Sequence, residues 1–151
     1  METFSTLSAE ELYALLRLRG DVFVCEQDCA YQDLDGRDLA PGTQHVWFED
    51  DAGPVAYLRV LEEATGLRLG RVCTRREARG HGLAAGLVAH TLDRHPGVPV
   101  VLAAQAHLVG FYSRFGFAPA GAEFVENDIR HIPMRRPPGS AATGSRQTTR
   151  S

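Results

Sequence analysis

Between Gln44 and Thr74 the sequence QHVWFEDDAGPVAYLRVLEEATGLRLGRVCT holds three apolar runs separated only by DDAG and EEATG, breaks suited to tight turns. Runs so short and so close fold back on one another. They predict an antiparallel meander over about His45–Glu49, Val55–Leu61 and Leu67–Thr74. The meander leads into RGHGLAAG, Arg79 to Gly86, and then into a helix from about Gly82 on which Leu83, Leu87, Val88 and Leu92 share one face.

Signals on either side of this block complete the expected order. Ser8-Ala9-Glu10-Glu11 is a capping box, and Leu12, Leu15, Leu16, Val22 and Phe23 extend a first helix from Ser8 to Phe23. Gly20 weakens that helix by ~1 kcal/mol relative to Ala and marks where it bends or ends. Asp28 to Gly42 is rich in Asp, Gly and Pro and reads as a long loop. After the second helix, VPVVLAA is a short buried strand, Leu108 to Phe115 a compact helix stopped by Gly116, and Phe117 onward another strand. DIRHIPMRR is the last strand, expected at an edge because Pro133 has no N–H for a ladder. The fold class expected is α+β, a mixed central sheet with an antiparallel N-terminal meander and flanking helices. One domain should span 1–136, with 137–151 a disordered tail.

The glycine-rich stretch carries the first chemical signal. Small residues at a helix N-terminus expose successive backbone N–H groups, and such a row binds anions, a pyrophosphate above all. Arg75, Arg76 and Arg79 add positive charge nearby. Gly80-x-Gly82-x-x-Ala85 formally satisfies a dinucleotide fingerprint, but RREA separates it from the strand and Gln105 stands where a ribose-binding acid is needed. The alternative with no ligand is that the glycines let the helix pack closely on the sheet.

A formal net charge of −3 leaves no surplus to attract nucleic acid or an anionic membrane, and no apolar run approaches the ~20 residues that span a bilayer. A cytoplasmic location is expected. Cys25, Cys29 and Cys73 lack the companions of a zinc site and read as reduced, mostly buried thiols. Asp33, Asp35 and Asp38 lack a terminal Glu at Gln44 for a calcium loop, so they read as turn formers or an acidic lip for a cationic amine. No metal is expected.

Arg79-x-x-Gly82-x-Ala84 after the strand RVCT resembles the acetyl-CoA signature of the GCN5-related N-acetyltransferases, the GNAT family. FYSRFGF, Phe111 to Phe117, resembles that family's second signature. LYALLRLRGDVFVCEQDCAYQDLDGRD, AAQAHLVGFYSRFGF and DIRHIPM are similar to its ElaA-like branch, and the likeness covers about Leu12 to Arg135.

The resemblance implies acetyl transfer from acetyl-CoA to a primary amine of a small molecule or peptide, by direct transfer in a ternary complex. Pantetheine would pair with the backbone of Val72, Cys73 and Thr74. The pyrophosphate would sit at Arg79, Gly80, His81, Gly82, Leu83 and Ala84. Tyr112 would protonate the departing thiolate, and Gln105 stands where many relatives have an Asn. His107 would cap the following helix or take part in the chemistry. The strands GRVCT and VPVVLAA carry no acid, so either bulk water takes the proton or a base is recruited from Glu26, Asp33, Asp35, His45 or His131, with Glu26 and His131 preferred. Cys73 has no activating neighbour in sequence, which argues against a covalent acyl-enzyme. Dimers being common in that family, a homodimer is the assembly the resemblance suggests. The rival readings are a non-catalytic acyl-CoA-binding module and a synthase of the acyl-homoserine-lactone type.

Overall fold

The computed structural model describes residues 2–27 and 33–139; Cys29 and most of the expected tail lie outside them. Helix α1 (Ala9–Gly20) is opened by the expected capping box: the Glu11 N–H donates to Ser8 Oγ at 3.0 Å and the Ser8 N–H to Glu11 Oε1 at 2.9 Å. At Gly20 the winding changes, and a π-helical turn carries the chain from Asp21 to Glu26, beyond the expected end at Phe23.

Strands β1 (Gln44–Asp50), β2 (Gly53–Glu63) and β3 (Gly66–Thr74) form the meander. Helix α2 (Leu83–Asp93) comes next, then β4 (Val100–Gln105), α3 (Val109–Ser113), β5 (Ala118–Pro119), β6 (Phe124–Glu126) and β7 (Ile129–Arg136). The open mixed sheet has the order β1-β2-β3-β4-β7-β5, with β6 also on β7. β3 and β4 run parallel, paired at Leu67↔Val100 and Arg68↔Val101.

Among the described residues, one compact unit comprises those up to Glu62 with Leu69–Val88, and a second comprises Glu63–Arg68 with those from Ala89 to Gly139. In the first, α1 lays Leu15 and Leu18, with Val22 of the π turn, against Tyr57 of β2 and Cys73 of β3. Each fully buried Leu here contributes roughly 1.5–3 kcal/mol by leaving water. In the second, β7 is not an edge strand: it lies between β4 on one side and β5 and β6 on the other. Pro133 is tolerated because the N and C=O of one strand residue point the same way. Its carbonyl accepts from the Ala120 N–H at 2.8 Å, so its missing N–H also points to the side where β5 has ended and β6 has not reached. The β6–β7 hairpin turns on Asn127 and Asp128, both at positive φ (52° and 63°), as a two-residue primed turn requires.

Candidate functional site

β3 ends at Thr74, and a 3₁₀ turn over Arg76–Ala78 delivers the chain to the glycine stretch. From Gly80 to Ala85 no backbone N–H has a hydrogen-bond partner among the described residues; Gly86 is the first to donate, to the Gly82 carbonyl at 2.9 Å. Gly80 (φ 85°) and Gly82 (φ 73°) are left-handed, and a Cβ at either would meet nothing within 4 Å. Close packing therefore does not explain these two glycines. It does explain Gly86, whose added Cβ would lie 3.3 Å from Phe48 Cε2. The expected loop residues Gly80, His81, Gly82, Leu83 and Ala84 thus form a run of free donors at the positive end of α2, a site suited to an anion.

Arg79 is tied on both sides of this run. Its Nε donates to the Thr74 carbonyl at 3.0 Å, and its guanidinium makes a two-pronged ion pair with Glu26, one arm of which, Nη2 to Oε1, is 2.7 Å. The Arg79 hydrogen bond holds the Glu26 carboxyl below the usual carboxylate range. As a proton acceptor Glu26 is therefore disfavoured. Glu26 and Cys25 line a cavity of about 660 Å³ bounded by α1 and the π turn from Tyr13, by Ala52 and Pro54 of the β1–β2 hairpin, and by Arg75–Glu77. π turns recur at functional sites because they break regular helical packing. Cys25 is exposed rather than buried as expected. Cys73 is buried, and burial pushes its thiol up to about 12, which leaves no thiolate to act as a nucleophile at neutral pH.

The aspartates of the long loop do not form a lip. Asp33, Asp35 and Asp38 are matched by Arg19, Arg59 and Arg71, three carboxylates against three guanidiniums. Arg19, with a side chain 1% exposed, reaches Asp33 at 3.0 Å and Asp38 at 2.7 Å, and Arg59 grips Asp35 at 2.9 and 3.0 Å. These charges are spent internally and attract no substrate. His45, one of the candidate bases, is part of the same structure. Its Nε2 faces the Asp38 carbonyl at 3.4 Å and can only donate there, so Nδ1 accepts from the Tyr57 hydroxyl at 2.6 Å. Desolvation lowers its pKa and keeps it neutral and structural. Sequence spacing missed Arg19, Arg59, Arg71 and Tyr57; the run Asp33-x-Asp35-x-x-Asp38 was the only visible trace.

In the second unit, Gln105 and His131 are paired across β4 and β7. The His131 Nδ1 lies 2.9 Å from the Ile129 carbonyl, which can only accept, so in the neutral ring Nε2 keeps the lone pair. The ring stacks on Phe124 with centroids 5.4 Å apart. Tyr112 of α3 is packed edge-on against Phe111 and Phe117. Burial alone pushes its phenol up to about 12, and its hydroxyl has no hydrogen-bond partner among the described residues. His107 is exposed, and neither the 3₁₀ turn nor α3 carries a side-chain capping bond, so the capping role is not seen.

Residues 5–137 match the acetyltransferase (GNAT) domain family. A UPF0039 protein of Mycobacterium tuberculosis is 45% identical over 136 residues, covering 87% of each chain. Protein ElaA of Escherichia coli is 43% identical over 141 residues, covering 87% of this chain and 91% of its own. A crystal structure of an acyl-CoA N-acyltransferase from Pseudomonas aeruginosa superposes with a TM-score of 0.86 at 42% identity, covering 89% of this chain and 95% of that one.

Proposed function

The chain belongs to the GNAT acetyltransferase family, on its ElaA-like branch, and from that premise we propose that it is a cytoplasmic N-acetyltransferase moving an acetyl group from acetyl-CoA to a primary amine. The observation that carries this reading is the unbroken run of free N–H donors from Gly80 to Ala85, with open space above Gly80 and Gly82. Those donors receive the pyrophosphate, and the backbone of Val72, Cys73 and Thr74, beyond the last β3 position paired with β4, receives pantetheine.

In a direct transfer the amine attacks the thioester carbonyl, the C–S bond breaks, and the thiolate takes a proton. Tyr112, a phenol at neutral pH, supplies that proton, and the proton the attacking nitrogen sheds as it becomes an amide restores the phenol. The acceptor ammonium must first lose one, and His131 is the preferred base, since the Arg79 ion pair disfavours Glu26 as a proton acceptor. Glu26 instead holds Arg79 beside Thr74 and the loop. The cavity beside α1 is the proposed acceptor entrance, and Gln105, opposite His131, the proposed amide contact to pantetheine.

Titration of the full chain with acetyl-CoA, then a panel of small amines and peptides scored by thiol release, tests the reading. Binding with turnover supports it, binding without turnover on any amine favours a non-catalytic acyl-CoA module, and no binding refutes it. The base assignment is tested by pH–rate profiles. His131→Ala should remove the lower ionisation from kcat/KM and Glu26→Gln should retain it; the opposite pattern returns the role to Glu26.

A further inference from the structure

Arg71 sits inside β3 with φ 54°. Among the described residues the other non-glycine positions at positive φ are the two turn residues Asn127 and Asp128, where such a conformation is ordinary. In a strand it is not: a left-handed residue breaks the alternation and redirects the N–H and C=O groups after it. In β3 the redirected groups belong to Val72, Cys73 and Thr74.

The conformation is gripped from outside the strand. Arg71 Nε meets Asp33 Oδ1 at 2.8 Å, and Nη2 meets the Asp33 carbonyl at 3.0 Å and Asp35 Oδ2 at 3.2 Å. Asp33 is itself fixed by Arg19 of α1, which takes its Oδ2 at 3.0 Å and its carbonyl at 2.8 Å. A bidentate guanidinium fixes direction as well as distance. One ion-pair network therefore joins the helix lining the cavity to the strand assigned to pantetheine.

We propose that Arg71, clamped by Asp33 and Asp35, is a positioning residue that sets the orientation of the Val72–Thr74 backbone toward the pantetheine and acyl part of the donor. The inference rests on the acetyl-CoA assignment above. It predicts that the clamp governs binding of the pantetheine arm and leaves the loop from Gly80 to Ala84 untouched. The arm and the loop can be separated with two ligands, acetyl-CoA and 3′-phosphoadenosine 5′-diphosphate, which carries the pyrophosphate and no pantetheine.

Arg71→Gly frees φ and removes the clamp. By calorimetry the variant should bind acetyl-CoA at least 10-fold more weakly than the wild-type chain while its affinity for the nucleotide fragment changes less than threefold. Arg71→Lys, which keeps a cation, should recover part of the loss. If Arg71→Gly does not fold, Asp35→Asn should shift the same ratio in the same direction by at least threefold. A wild-type ratio of the two affinities in the folded Arg71→Gly or Asp35→Asn chain overturns the positioning role and leaves the acetyltransferase reading standing. A wild-type chain that binds neither ligand overturns both.

Discussion

Tyr112 and Glu26 show how neighbours decide what a side chain can do. The Tyr112 hydroxyl is protonated at neutral pH and can donate to a thiolate as it forms, although burial, which raises the phenol to about 12, makes it a weaker acid than a free tyrosine. Tyr112→Phe should lower kcat by roughly 10²–10⁴, the usual range for loss of a general acid, with acetyl-CoA affinity changed less than about twofold by calorimetry. An unchanged kcat would remove Tyr112 from the chemistry. This residue was legible because FYSRFGF keeps it in a local pattern. Glu26 was legible as a polar residue after an apolar face, but its partner Arg79 is 53 residues away, and no local pattern reports such a pair. The same holds for Arg19 and Arg71, which meet Asp33 from 14 and 38 residues away.

At the level of elements, short-range rules were sufficient wherever the cause was short-range. The capping box, both tight turns of the meander and the start of α2 arise from a few adjacent residues. Ser8→Ala removes the acceptor for the Glu11 N–H and should cost about 1 kcal/mol in denaturant unfolding with an unchanged slope. A loss near zero would mean that solvent satisfies this helix end equally well. Elements set by tertiary context were misread. The π turn after Gly20 continues the first helix with a different winding, and β7 carries Pro133 in the sheet interior because β5 and β6 leave a gap beside it. The β6–β7 turn had a visible Asn-Asp signal, but β5 and β6 were absorbed into one strand from Phe117 onward.

For the molecule as a whole, the Asp–Arg network predicts how stability answers to acid. Burial would raise the Asp35 carboxyl, but hydrogen bonds from Arg59 and the Arg37 N–H, with the charges of Arg59 and Arg71, outweigh it and hold the group down at about 2. Asp38 is lowered in the same way, chiefly by Arg19 against its own desolvation. An unfolded aspartate takes up its proton near pH 3.9, so between that value and about 2 the unfolded chain binds more protons than the folded one. Stability from these pairs is present above pH 4 and is lost as the pH falls toward 2. Chemical denaturation at pH 6, 4 and 3 should show this decline, and Asp35→Asn should flatten it; an equal slope in the variant would place the acid sensitivity elsewhere. The acetyltransferase reading rests on the proposal that the loop from Gly80 to Ala84 holds the anionic end of acetyl-CoA. Its most direct test is calorimetric titration of acetyl-CoA into the wild-type chain and into Gly82→Asn, since Asn tolerates a left-handed φ and adds a side chain where nothing of the protein lies within 4 Å. Saturable binding to the wild type and at least a 10-fold loss in a variant that still folds are expected; equal affinity in the two, or none in either, would contradict the claim.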